Sequence, residues 1–228
     1  MKSVAVSQSN YLPWVGYFKL ISQADCFVFY DSVQYTKNDW RNRNRIIIDG
    51  APNWLTIPIK YRFSERKRID EIELPQNGWG KEHLNKIERA YKSTDYFLEL
   101  FPFLEEEISK NYLTLSELNK NTIMTFSSVL NIETKFLDYS LNLELSKNQR
   151  LIDTCKSVGA QQYVTTPKAL NYLDIQLFKD NDIELKILDF ESCLKKYPQK
   201  SYNFDPYVSF IDLLFNLGIN GVEERLTD

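Results

Sequence analysis

Arg41, Arg43 and Arg45 alternate with Asn42 and Asn44 in the segment QYTKNDWRNRNR, which runs from Gln34 to Arg45. Guanidinium groups offer fixed forks of donors that match phosphate or carboxylate oxygens, and the amides add neutral donors and acceptors. Gln34 and Lys37 extend the polar set, while Tyr35 and Trp40 give flat faces on which a base or a sugar ring stacks. The run follows an apolar strand, residues 26 to 30, that closes on Asp31. A chain of net charge −3 that gathers three arginines within five residues is read here as gripping an anionic ligand. On a strand over residues 40 to 48 the arginines would share one face and the asparagines the other. A solvated strand face with paired arginines gives the same pattern.

A second polar group lies at Gln8 to Trp14. It leaves the end of a first strand and enters a helix, where free amides and the helix dipole favour an anion. Gln8 and Asn10 are adaptable polar contacts, and Tyr11 and Trp14 are flat ones; an ordinary capping turn with core aromatics fits the local sequence equally. For proton transfer the candidates are Asp31, whose carboxyl stands beside the arginines, and His83, the one histidine and the side chain that ordinarily titrates nearest neutrality. A structural histidine beside Glu82 is the competing explanation. One histidine excludes a two-histidine nucleotidyl-transfer motif and a multi-histidine metal site. Cys26, Cys155 and Cys193 have no CxxC spacing, so neither a disulfide framework nor a structural zinc site is expected.

These residues need a frame. Residues 3 to 8 read as a buried strand, 14 to 24 as a helix with Pro13 at its start, and 26 to 31 as a second strand parallel to the first. An antiparallel hairpin follows, with arms at 46 to 48 and 54 to 59 about an Asp49-Gly50 turn, Pro58 making the second arm an edge or bulged strand. Alternation over 69 to 74 predicts a third strand. Helical spacing then governs 79 to 131, with one helix through Leu84, Ile87 and Tyr91, a second over 97 to 108 interrupted by Pro102, and a third from 115 to 130. A strand at 134 to 139, a helix at 147 to 158, a strand at 162 to 165, a short helix at 168 to 173, a strand at 183 to 190 and a helix ending near 218 complete the chain. The expected fold is α/β and Rossmann-like, with a mostly parallel sheet, flanking helices, an antiparallel hairpin extension and a helical insertion. Residues 1 to 228 form one domain, with 78 to 131 as the insertion or lid.

A hydrophobic fraction of 43% supports a sizeable core, and an aromatic fraction of 14% suggests that rings line a site as well as fill it. The near balance of charge argues against general nucleic-acid binding. No apolar run reaches the roughly 18 residues that span a bilayer, and no signal-like segment is seen, so a cytoplasmic location is expected.

The stretch SQSNYLPWVGYFKLISQADCFVFYDSVQYTKNDWRNRNRI resembles the N-terminal signature of the WbqC-like family of bacterial proteins. Gln8, Asn10 to Trp14, Gly16 to Phe18, Ala24, Asp25, Asp31, Gln34, Tyr35, Lys37 and Trp40 to Asn44 stand where that pattern has them. The segment 54 to 58, His83 with Tyr91, and residues 150 to 218 are similar to its later blocks. Two departures stand out: Ser9 replaces a proline, and Thr165-Thr166-Pro167-Lys168 replaces a small Ser-Gly turn. If that turn hugs a phosphate, Thr165, Thr166 and Lys168 join the binding set. The resemblance implies a transferase of surface-polysaccharide (O-antigen, lipopolysaccharide) synthesis that adds an amino acid such as glycine to a nucleotide-linked amino sugar. A non-catalytic sugar-nucleotide-binding or scaffolding protein of the same pathway is the alternative. The acyl donor stays open among ATP-derived adenylate, thioester and aminoacyl-tRNA, and a homodimer is compatible with all of these.

Overall fold

Strands that alternate apolar side chains to both faces must be covered on both faces, and β1 (Ser3–Ser7) and β2 (Cys26–Phe29) do this. Ala5 and Phe27 face one apolar core, whereas Val4, Cys26 and Val28 face another. The computed structural model describes residues 1–137 and 144–227, with the backbone alone at Phe63. β1 pairs in parallel with β2 on one side and with β6 (Gln162–Thr165) on the other. β5 (Lys135–Leu137) adds outside β2, and β7 (Glu184–Ile187) adds outside β6, both in parallel. The order is therefore β5-β2-β1-β6-β7. Counting only these parallel strands in chain order, this is the 3-2-1-4-5 arrangement of Rossmann sheets. Its strand order reverses beside β1, and ligands of such sheets sit at the carboxyl ends of the strands.

One face is covered by α1 (Val15–Ser22) and α8 (Phe210–Leu226), with Phe18 and Phe210 rings 4.6 Å apart. The other is covered by α5 (Lys147–Ser157) and α6 (Ile175–Asp180), through Leu151, Cys155 and Phe178. All three cysteines are buried thiols. The helices α2 (Trp79–Tyr91), α3 (Phe97–Ser109) and α4 (Leu115–Val129) bury Ile87, Leu104, Leu118 and Phe126 in the same core as α1 and α8. The short α7 (Glu191–Leu194) packs on α8.

The hairpin is a separate two-stranded sheet, β3 (Arg43–Ile48) with β4 (Ala51–Thr56). Asp49 and Gly50 both have positive φ (50° and 82°), as a two-residue turn of the strands' own twist requires. A Cβ at Gly50 would also fall 2.6 Å from the Tyr202 ring. Asn44 explains how the hairpin reaches the main sheet. It is buried, and its amide donates to the carbonyl of Leu12 at 2.6 Å while its oxygen accepts from Arg45 N–H. Leu12 has a φ of 42°, an uncommon conformation that this contact helps to hold.

Several elements differ from expectation. Residues 69 to 74 make no third strand: Ile69–Glu71 is a 3₁₀ turn whose flanks bond to the start of α4, Leu74 N–H to Leu113 and Leu115 N–H to Ile72. The burial of Ile69, Ile72 and Leu74 mimicked strand alternation. β3 begins only at Arg43, so Arg41 and Trp40 precede it, and β4 ends at Thr56, leaving Pro58 outside. Pro102 lies on the exposed side of α3, which runs through it because Leu100, Leu104 and Ile108 anchor the helix on both sides. Pro13 precedes α1 rather than opening it. Residues 167 to 171 form a 3₁₀ helix, and α6 and α7 were unforeseen. α8 breaks at Gly218 (φ 71°), where the last helix was expected to end, and a second helical stretch runs on to Leu226. Of the strand expected over 134 to 139, residues 138 and 139 lie outside the described residues.

Replacing Asn44 with alanine leaves buried main-chain groups at Leu12 and Arg45 without partners. Urea unfolding should show a loss of about 1–3 kcal/mol; an unchanged midpoint would mean the hairpin docks by other contacts.

Candidate functional site

At the carboxyl end of β2 the chain turns into Asp31, which is 2% exposed. Its carboxylate accepts the Ser9 N–H at 2.8 Å, the Ser9 hydroxyl at 2.6 Å and the Ser116 hydroxyl of α4 at 2.5 Å. The Asp31 carbonyl accepts Asp70 N–H. Asn119, also on α4, donates to the Arg41 carbonyl at 2.9 Å. The first turn, the end of β2, α4 and the arginine segment are thus stitched around one carboxylate. Ser9 matters here because a proline at that position would lack the N–H that Asp31 receives.

The arginines divide by partner. Arg41 pairs with Asp39. Arg45 pairs with Asp205 at 3.0 Å and lies within 6.0 Å of the Trp40 and Trp54 rings. Arg43 stacks 4.2 Å over Trp54 and has no carboxylate partner among the described residues. The Nε groups of all three are shut off from solvent without an acceptor, as is the Tyr35 hydroxyl. Burial pushes that phenol up to about 12, with Asp39 adding and Arg41 and Arg43 opposing. Arg43 and Arg45 share the face of β3 that carries Trp54, as period-two alternation predicts, and Asn44 faces the core. Asn42 also lies inside, its amide donating to the Ile57 carbonyl at 2.9 Å.

The remaining candidates fall into three groups. Gln8, partly buried, and Thr165, buried, stand at the carboxyl ends of β1 and β6 beside the point where the strand order reverses, with Thr166 and the exposed Lys168 following. Gln8 also takes the Tyr17 hydroxyl on its carbonyl. Asn10 is partly buried; Gln34 and Lys37 are exposed, and Trp40 is exposed against Trp54, with ring centres 5.6 Å apart. Tyr11 and Trp14 are packed side chains: Trp14 lies against Phe190 and Tyr207, and a Cβ at Gly16 would penetrate its ring. Tyr11 is 1% exposed and its hydroxyl meets His83 Nδ1 at 2.9 Å.

His83 is buried on α2 and also hydrogen-bonds the main chain of Thr56. With that N–H donated, Nδ1 is the acceptor for Tyr11. Burial, then the neighbouring Lys86, pull the imidazole down from 6.5 to about 4, against the Thr56 bond and Glu82. The ring is neutral at pH 7.

Residues missed in the sequence include Ser116, Asn119 and Asp212. Asp212, fully buried on α8, accepts hydroxyls from Tyr91 at 2.7 Å and Tyr197 at 2.6 Å and the Gln199 amide at 2.9 Å. Burial raises its carboxyl, and the tyrosine hydrogen bonds oppose that rise. Each is a polar group in an apolar helical stripe, which is the available signal, since buried polar groups demand partners.

The fold and these residues define a doubly wound α/β protein with a cationic, aromatic-walled candidate site beside the carboxyl edge of its sheet. The chain belongs to the WbqC-like protein family, which it matches over residues 8–224. It is 36% identical over 220 residues to the uncharacterized protein Rv1507c of Mycobacterium tuberculosis, a match covering 96% of this chain and 95% of that protein. No solved structure matches. Among the described residues, no helix is long and apolar enough to cross a membrane.

His83 gives a pH dependence with a definite sign. Between pH 6.5 and about 4 the unfolded chain binds the proton and the folded one does not, so this contribution to stability falls as pH falls through that window. The full shift amounts to something on the order of 3 kcal/mol. Chemical denaturation across that range should show a shallower pH slope for His83→Gln than for the wild type; parallel slopes would mean His83 is not held neutral.

Proposed function

We propose that this protein is a transferase acting on a nucleotide-linked amino sugar in surface-polysaccharide synthesis, adding an acyl group such as glycyl to the sugar amine. The observation that carries it is Arg43: a partly buried guanidinium, stacked on Trp54, without a carboxylate partner among the described residues. Its Nε donor is buried without an acceptor, which is costly unless an anion completes it. It stands beside Arg41 and Tyr35, near the edge where Rossmann-ordered sheets hold nucleotides. Arg41 and Arg43 then hold the diphosphate, and Lys37, Gln34, Gln8, Thr166 and Lys168 border it. Trp40 supplies a stacking face.

In the reaction the sugar nitrogen attacks the acyl carbon, the N–C bond forms, and the leaving group departs with its electron pair. The leaving group is AMP, a thiolate or the 3′ oxygen of a tRNA, according to the donor. The amine then gives up a proton. Both Asp31 oxygens are engaged by three donors, and both His83 nitrogens are engaged as well. For His83 to take that proton the Tyr11 hydroxyl must first turn away, whereas for Asp31 the amine must reach the buried oxygen that holds only the Ser9 N–H. The same engagement favours a second reading, in which the protein binds or presents the sugar nucleotide without catalysis.

Thermal shift against dTDP- and UDP-linked amino sugars, ATP and glycine, followed by product analysis with each donor, separates the two. A ligand at a hundredfold excess over its Kd adds about 2.7 kcal/mol of stability. A rise with a sugar nucleotide that vanishes in Arg41→Ala and Arg43→Ala supports the site. Product formation lost in Asp31→Asn or His83→Gln with binding retained supports the transferase; binding retained with no product from any donor supports the second reading. No shift with any nucleotide overturns both.

A further inference from the structure

Between the hairpin and α2 lies a slot of about 210 Å³, walled by Trp54 and Trp79 and floored in part by the His83 ring. Its size is below the range of roughly 300–1,000 Å³ that holds drug-sized ligands and fits a single ring. Trp79 is fixed edge-on by His83 and Tyr11, with ring centres 5.3 and 6.1 Å away. Trp54 is 44% exposed, a large apolar surface left open to water. Pro58 adds an apolar edge and Thr56 a hydroxyl, and the other lining groups are polar and of mixed character. Asn77 brings an amide that donates and accepts, and Glu82 and Lys86 bring an acceptor and a donor joined at 2.6 Å.

We propose that this slot is a saccharide-binding subsite. A pyranose has C–H faces with slight positive charge, which meet the negative face of an indole, and hydroxyls around its edge that both donate and accept. The slot supplies both complements. Trp54 joins the slot to the arginine face, since Arg43 stacks 4.2 Å over it. In the proposed function the sugar of the nucleotide-linked ligand occupies the slot while its phosphate meets Arg43. That assignment rests on the proposed function; the slot's affinity for a sugar ring does not.

The test is saturation-transfer NMR of the full chain with free glucosamine, N-acetylglucosamine, N-acetylgalactosamine and a 4-amino-4,6-dideoxyhexose at millimolar concentration. Saturation of ring C–H protons is expected, with affinity weakened roughly tenfold in Asn77→Ala and in Trp54→Ala, the equivalent of one good contact. Both side chains are exposed, and Trp79→Phe serves as a further variant that keeps an aromatic wall. In parallel, calorimetry compares UDP with UDP-N-acetylglucosamine, and dTDP with its amino-sugar conjugate, in wild type and Arg43→Ala. Arg43→Ala should weaken the nucleotides far more than free sugars, which lose only the support that Arg43 gives the Trp54 ring. If no sugar receives saturation, or if saturation survives all three slot variants unchanged, the subsite is overturned whatever the nucleotides do. Sugar binding without any nucleotide binding upholds the subsite and overturns the anion-site reading instead.

Discussion

A buried carboxylate with three hydrogen-bond donors is the constraint on which the candidate site depends. Asp31 ends β2, yet its partners lie in the first turn and on α4, the nearer 22 and the farther 85 residues away in the chain. Buried at 2% exposure, this carboxyl group is tolerable only while those donors stay in place. The first turn therefore cannot drift from α4, and through Asn119 the Arg41 carbonyl is held to the same helix. The arginine segment is positioned by Ser9, Ser116 and Asn119, which the sequence reading did not assign to it.

A second buried carboxylate does similar work on the far side of the hairpin. Asp212 gathers Tyr91 from α2 with Tyr197 and Gln199 from the segment before α8. The Tyr91 hydroxyl in turn accepts the Ile47 N–H of β3. Ser209 N–H donates to the Arg45 carbonyl, and Asp205 takes the Arg45 guanidinium. One edge of the arginine strand is thus fixed by Asn44 to the first turn and the other by the Asp212 assembly. Arg43, between them, keeps its charge unspent.

What was legible in the chain was what is local. The β1–α1–β2 unit, the tight turn at Asp49-Gly50 and the common face of Arg43 and Arg45 follow from apolar spacing, turn chemistry and period two, all within a few residues. Tyr11, Tyr35 and Trp14 read as stacking faces, but Tyr11 and Tyr35 are buried and Trp14 packs on Phe190 and Tyr207. Trp54 and Trp79 come to line one slot only once α2 folds onto the hairpin. Asn42 and Asn44 read as ligand groups beside arginines; their bonds to Ile57 and Leu12 become visible only when the hairpin docks. Residues 69 to 74 failed for a related reason. Burial every second or third residue looks the same whether the partner is a sheet or the start of a helix.

The charge left on Arg43 has a kinetic side. The protein as a whole carries −3, so an anionic ligand is repelled at long range and attracted only close in. At physiological ionic strength fields from exposed charges fade within about 8 Å. Under the proposed function, an anion reaching this site gains little from electrostatic steering. Encounter is set by diffusion and orientation, and discrimination by how long the ligand stays rather than how fast it arrives.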